Sequence, residues 1–427
     1  MRILIVGGGG REHALTWKLA QNPTVDKIFA VPGNAGIGEV AQCEPLDPAD
    51  VDVLADFAET HGVDLTVVGP EAPLVGGLAD ELAERGFAVF GPGKAAARIE
   101  GSKAWAKQIM ASAGVPTARS ETVTTMEEGL AALDRFGTPV VVKADGLAAG
   151  KGVTVAENGP AAEEALRMCL VDLAFGDAGT TVVVEEFLEG EELSILCLTD
   201  GRHVLPLVPA QDFKRAFDGD RGPNTGGMGS YSPVVHMPAD IVERSVREIF
   251  APTVRALVEA GSPFVGCLYG GLMVTADGPK LIEFNCRFGD PETQAIIPRL
   301  TSDLAELLLA CVEGNLSLYQ PRWTEDACAV VVLASGGYPG SYKTGLPIDG
   351  LEDVEGTKGI EVFHAGTARR NGRIVTAGGR VLAVSALGRD LAAARDRAYE
   401  TVAKIRFEGM HYRTDIAARA ASMGRKN

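Results

Sequence analysis

The chain has 427 residues, 46% of them hydrophobic and 23% charged, with a formal net charge of −17. That length holds about three domains of ordinary size, and the acidic balance argues against a general affinity for nucleic acid or anionic membranes. No apolar run approaches the ~18 residues that cross a bilayer, and the N-terminus enters a strand without a signal peptide. The seven cysteines (Cys43, Cys169, Cys197, Cys267, Cys286, Cys311 and Cys328) form no CxxC pair and no Cys/His metal spacing. Reduced, buried thiols in a cytoplasmic protein are therefore expected.

The first hundred residues alternate strands and helices. A buried strand over 2–6 runs into Gly7-Gly8-Gly9-Gly10, followed by a helix over about 11–21 and a strand over 27–31. Further strands over 65–68 and 87–90 end at Gly69-Pro70-Glu71 and Gly91-Pro92-Gly93. This alternation predicts a doubly wound parallel sheet with ligands at the carboxyl ends of its strands. A nicotinamide dinucleotide site is not supported. The GxGxxG fingerprint requires glycine where Glu12 stands, and the second strand ends in Val31-Pro32-Gly33-Asn34 rather than in an acid. The turn at Gly8, Gly9 and Gly10 reads as a site for one phosphate monoester at a helix N-terminus, or else as a tight packing turn.

A second layout begins near residue 101. Ser102 is a helix N-cap, Gly114 and Pro116 end that helix, and Trp105, Ile109 and Met110 form its buried stripe. Lys103 in its first turn opposes the helix dipole and calls for an anionic neighbour. A strand over 139–142 leads to Lys143 and the run Asp145-Gly146-Leu147-Ala148-Ala149-Gly150-Lys151-Gly152. This is no Walker loop, because Asp145 replaces its first glycine and Gly152 its Ser/Thr. What remains is a strand-end lysine and a glycine-rich loop able to fold over phosphates.

The strand over 181–184 turns acidic at Glu185-Glu186-Phe187-Leu188-Glu189-Gly190-Glu191-Glu192. Its backbone can meet an adenine edge and one of its carboxylates the ribose hydroxyls. Residues 211–231 hold Gln211-Asp212-Phe213-Lys214-Arg215 and Gly222-Pro223-Asn224-Thr225-Gly226-Gly227-Met228-Gly229, a polar, glycine-rich loop within an apolar domain, as functional loops are. Then Leu281-Ile282-Glu283-Phe284-Asn285-Cys286-Arg287 begins as a strand, and alternation sends Glu283, Asn285 and Arg287 to one side. A carboxylate, an amide oxygen and a guanidinium suit a magnesium ion and the phosphates it carries. The strand before it, Leu268–Val274, offers no acid. The last hundred residues, with strands over 329–333 and 380–384 and a helix near 390–405, suggest a small α+β domain with an antiparallel sheet.

In this order the blocks resemble an ATP-grasp ligase. The chain is similar, over nearly its whole length, to the phosphoribosylamine–glycine ligase (glycinamide ribonucleotide synthetase) family. Gly9-Gly10-Arg11-Glu12-His13-Ala14, Pro32-Gly33-Asn34-Ala35-Gly36, Gly69-Pro70-Glu71-Ala72-Pro73-Leu74, the 222–229 loop and Gly336-Gly337-Tyr338-Pro339-Gly340 carry the resemblance. It implies an α/β fold with an N-terminal doubly wound domain (1–101), an ATP-grasp domain (102–325, lid about 121–190) and a C-terminal α+β domain (326–427). It also implies ATP-driven joining of glycine to 5-phosphoribosylamine through a glycyl phosphate. Lys103, Lys143 and the lid residues Gly146, Gly150, Lys151 and Gly152 would hold the ATP phosphates. Glu185, Glu186 and Leu188 would form the adenine hinge, and Glu192 would take the ribose. Glu283 and Asn285 would hold magnesium, or manganese in its place. Arg287 would steady the transferring group and Asp212 the glycine ammonium. Gly8, Gly9, Gly10, Gly33, Asn34, Glu71, Asn224, Gly226 and Gly227 would receive substrate.

The partners implied are these small molecules, without nucleic acid or membrane, in a monomer or weak homo-oligomer. Where the family often has histidine after the aspartate of the Gln-Asp block, this chain has Phe213. Two other readings compete: a biotin-carboxylase-like or aminoimidazole-ribonucleotide carboxylating ligase, and a nucleotide sensor without turnover.

Overall fold

The computed structural model describes residues 1–147 and 152–424. Five parallel strands form the first sheet, in the order Gln42–Cys43, Lys27–Pro32, Arg2–Gly7, Leu65–Val68, Val89–Phe90. Both faces are buried, as parallel sheets require. Leu4, Val6, Phe29 and Val31 pack against Leu54, Ala55 and Ala58 of the helix Val51–His61. Ile3, Ile5, Ile28 and Ala30 pack with Leu15 and Leu19 of the helix Gly10–Leu19 and with Leu307 and Leu308 of Leu304–Glu313. The chain leaves the central strand Arg2–Gly7 toward Lys27–Pro32 on one side and Leu65–Val68 on the other. That arrangement opens the crevice where doubly wound folds take ligands.

Two antiparallel sheets enclose the central cleft. The lid pairs Ser120–Val123, Val182–Glu186, Val140–Ala144 and Val153–Ala156 in that order, and the helices Met126–Phe136 and Gly159–Leu170 supply its own core with Val140, Val142, Val182 and Val184. The opposite sheet runs Val204–Pro206, Glu191–Asp200, Val265–Thr275, Gly278–Asn285.

The C-terminal sheet contains Ala327–Ala334, Arg380–Gly388 and Ile360–His364, but its other edge comes from far upstream. Gly229–Ser232 pairs with Ala327–Ala334, and Gln211–Asp212 pairs with Gly229–Ser232. The glycine-rich 211–231 segment is therefore held by the C-terminal sheet as well as by the cleft. Among the described residues no helix is long and apolar enough to cross a membrane. The seven cysteines are free thiols, all buried except the half-buried Cys43.

Candidate active site

A single cleft of about 1050 Å³ is lined by residues of all three regions. Helix capping places its first lysine. Ser102 Oγ accepts from the Trp105 amide at 3.1 Å, while the Asp145 carboxylate accepts from Ser102 Oγ and, at 2.6 Å, from the Ala104 amide. A residue that spoils the Walker pattern thus binds the start of Lys103–Ser112 to the root of the glycine loop. Lys103 Nζ then donates to Gly146 O at 3.2 Å. Burial lowers the Lys103 pKa, and nearby Glu283 opposes that shift. Lys143, nearly sealed from solvent, lies 2.8 Å from Glu185 Oε2 and donates to Ile282 O at 3.2 Å. Gly146 and Gly152 line the cleft; Gly150 and Lys151 lie outside the described residues.

The strand Gly278–Asn285 presents Glu283 and Asn285 to the same cleft, opposite Gly271 and Tyr269 of its neighbour. Burial disfavours the Glu283 carboxylate, but Lys214, Lys143, Lys103 and Arg287 outweigh it and hold the group below its usual value. An ionised carboxylate and an amide oxygen on one strand face are hard donors of the kind magnesium takes, so this pair fits the ion. Among the described residues no group of three or more His, Cys, Asp or Glu forms a metal cluster. The strand ends at Asn285, and Arg287 reaches the cleft from the bend beyond it. Its guanidinium is held by Glu71 Oε2 at 3.3 Å, Glu100 Oε1 at 3.0 Å and Phe288 O at 3.2 Å. The other Glu100 oxygen accepts from the Cys286 amide at 2.7 Å. The N-terminal domain thereby grips the end of the proposed metal strand, and burial raises the Glu100 pKa against the pull of Arg287. Nothing local in the sequence marks Glu100.

Asp212 lies among Lys214, Glu292 and Glu192, and burial pushes its carboxyl up to about 8; Lys214 opposes the shift, while Glu292 and Glu192 add to it. Lys214 Nζ pairs with Glu192 Oε2 at 2.8 Å. Ser194 Oγ donates to Glu292 Oε1 at 3.0 Å and lies 3.0 Å from Tyr269 OH. The cluster is an acidic, partly exposed pocket already containing one ammonium. Phe213 has a packing role: its ring lies 4.9 Å from the guanidinium of Arg413 and against Tyr231. Arg413, fully buried, pairs with Asp220 and Asp415 and donates to Arg215 O at 3.1 Å, fixing the hairpin Arg215–Phe217/Arg221–Asn224.

Glu185 and Leu188 line the cleft, as does Glu186, whose carboxylate is held by Arg119 Nε at 2.6 Å. Glu71, Asn224 and Gly226 line it too. Gly8, Gly9, Gly10, Gly33 and Asn34 lie outside its wall, and several of their polar groups have partners close by. The Gly9 amide donates to Glu12 Oε2 at 2.6 Å, so the Glu12 side chain folds back on the helix start. Asn34 Nδ2 donates to Gly8 O at 2.9 Å and His364 O at 2.7 Å, and its Oδ1 accepts from the Gly36 and Ile37 amides at 2.9 Å each. Asn34 therefore joins two loops of the N-terminal sheet to the C-terminal domain. Gly227 also stays out of the wall. Its φ of +108° and the overlap a Cβ would make with Pro291 require glycine there.

Comparison with known proteins agrees along the whole chain. Profiles of phosphoribosylglycinamide synthetase match in three parts: the N domain at residues 1–100, the ATP-grasp (A) domain at 101–293 and the C domain at 328–419. A phosphoribosylamine–glycine ligase of Pseudomonas aeruginosa is 51% identical over 428 residues, covering 100% of this chain and 99% of the relative. One of Streptomyces coelicolor is 51% identical over 424 residues, covering 99% and 100%. The crystal structure of the Thermotoga maritima phosphoribosylamine–glycine ligase superposes with a TM-score of 0.84 at 36% identity, covering 98% of this chain and 100% of that one. A biotin carboxylase of Campylobacter jejuni shares the fold alone, at 16% identity and a TM-score of 0.71.

Proposed function

Because the chain belongs to the phosphoribosylglycinamide synthetase family, we infer that it joins glycine to 5-phosphoribosylamine with ATP, giving glycinamide ribonucleotide, ADP and phosphate. The carrying observation is one cleft in which Lys103 and Lys143 face Glu283 and Asn285, with the Asp212 pocket at its side. The glycine carboxylate oxygen attacks the γ-phosphorus and ADP leaves. The amine nitrogen of phosphoribosylamine then attacks the acyl carbon of glycyl phosphate, and inorganic phosphate leaves with loss of a proton from nitrogen. Neither step calls for a protein nucleophile; positioning and charge neutralisation supply the catalysis.

In this reading Lys103 and Lys143 hold the triphosphate, with Gly146 and Gly152 at the lid. The backbone of Glu185–Leu188 meets the adenine, and Glu192 faces the ribose. Glu283 and Asn285 would hold magnesium, or manganese in its place, and that ion would supply charge neutralisation between the phosphates. Arg287 steadies the transferring phosphoryl group while tethered to Glu71 and Glu100. Asp212 ionises as the glycine ammonium enters beside it. Glu71, Asn224 and Gly226 give the phosphoribosylamine its contacts in the cleft wall.

The test is ADP release by the purified protein with ATP, magnesium and glycine, with and without phosphoribosylamine generated in the cuvette. ADP that forms only with both acceptor substrates, together with product of the mass of glycinamide ribonucleotide, is the expected result. Tight magnesium-dependent ATP binding without ADP release would favour the sensor alternative.

A further inference from the structure

Lys107 is a buried cation in the wall of the ATP cleft to which the mechanism assigns no part. It lies one helical turn beyond Lys103 on Lys103–Ser112, with its side chain 10% exposed. Its ammonium meets three acceptors: Glu185 Oε1 at 3.1 Å, Thr117 Oγ1 at 2.8 Å and Ala118 O at 3.0 Å. An ammonium has three hydrogens, so this geometry leaves none for a nucleotide.

The other Glu185 oxygen holds Lys143 at 2.8 Å, and both of those side chains are 4% exposed. Two cations therefore share one carboxylate, and the trio carries one net positive charge. Lys143 meets two acceptors among the described residues, Glu185 and Ile282 O, which leaves one N–H for a phosphate oxygen. Thr117 passes its own hydroxyl hydrogen to Leu281 O at 2.7 Å, two residues before Glu283. Lys107 thus joins the helix of Lys103, the strand end at Glu185 and the strand of Glu283.

We propose that Lys107 is a positioning residue for ATP: it balances the Glu185 carboxylate, so that the positive charge of Lys143 faces the nucleotide phosphates uncompensated. Without Lys107, Glu185 and Lys143 neutralise each other as a buried pair. Lys143 still offers its third hydrogen, but from a pair without net charge, and the weaker bond to the triphosphate costs on the order of ten- to a hundredfold in affinity. The backbone of Glu185, which the proposed function assigns to adenine, is untouched by changes in its side chain.

The inference rests on Lys143 as a phosphate ligand, so the experiment includes a variant that tests that assignment separately. Magnesium-ATP binding is measured by titration calorimetry on full-length K143M, K107M, K107R and the double variant K107M/E185Q, with thermal midpoints recorded for each. K107M is expected to weaken ATP about ten- to a hundredfold while the KM for glycine stays within about threefold, and K107R to recover most of that loss. K107M/E185Q removes the cation together with the carboxylate it balances, and is expected to bind ATP several-fold more tightly than K107M or K143M. Should K107M alone not fold, the double variant carries the test. A double variant as weak as K143M, or a folded K107M with unaltered ATP affinity, would overturn the positioning role while leaving the site intact. Unaltered affinity in K143M would instead overturn the phosphate assignment beneath it.

Discussion

Replacing Asp212 by asparagine should make the ligand-free protein more resistant to unfolding, and increasingly so as pH rises. Burial raises the Asp212 pKa from 3.8 to about 8. Below the unfolded-state value both states hold the proton and Asp212 contributes no pH dependence. Between that value and about 8 the folded state retains a proton that the unfolded chain has lost, so stability falls as pH rises, and above about 8 the loss is complete. Roughly four units at about 1.36 kcal/mol each set a ceiling of about 5 kcal/mol. Asparagine keeps the shape without the titration, so the difference in denaturant midpoint between D212N and the parent should widen from pH 5 to pH 8 and then level. Denaturation curves of both proteins across that range, without ligand, provide the assay. A difference independent of pH would refute the buried-acid account. The same variant should raise the KM for glycine at least tenfold, because its ammonium loses a carboxylate partner.

Other perturbations separate the cleft's parts. Glu283→Gln should lower turnover by several orders of magnitude with the fold intact, read by ADP release over a magnesium titration; near-normal turnover would sink the metal assignment. Arg287→Met leaves Glu100 buried without its guanidinium, and should cost about 3–5 kcal/mol of stability. R287M/E100Q should recover much of that in denaturant unfolding, while activity stays low. Gly227→Ala should impair both folding yield and turnover, since its φ of +108° and contact with Pro291 leave no room for a methyl group; a fully active, equally stable G227A would show that the loop can relax.

The local chemistry of the fold was legible in the sequence. Apolar runs closed by glycine and proline read as strands, and Leu65–Val68 stands where they put it. The Ser102 cap also forms as its side chain requires. Period-two alternation was enough to bring Glu283 and Asn285 to one cleft, because both lie on one strand. The resemblance to a known family supplied the order of domains and the reaction, which no single motif carries.

The tertiary structure decided what depends on pairings between distant segments. Arg287 meets Glu71 and Glu100 across separations of 216 and 187 residues, and no local pattern records such a meeting. The sharing of Glu185 by Lys107 and Lys143, the burial that raises Asp212 and the return of Gly229–Ser232 to the C-terminal sheet are of the same kind. So is the tie that Asn34 makes between Gly8 and His364. Residue type and spacing set which groups can bond and which face they take. Desolvation and the charges brought close by folding set their ionisation and decide which donors remain for a substrate, and both exist only once the chain has packed.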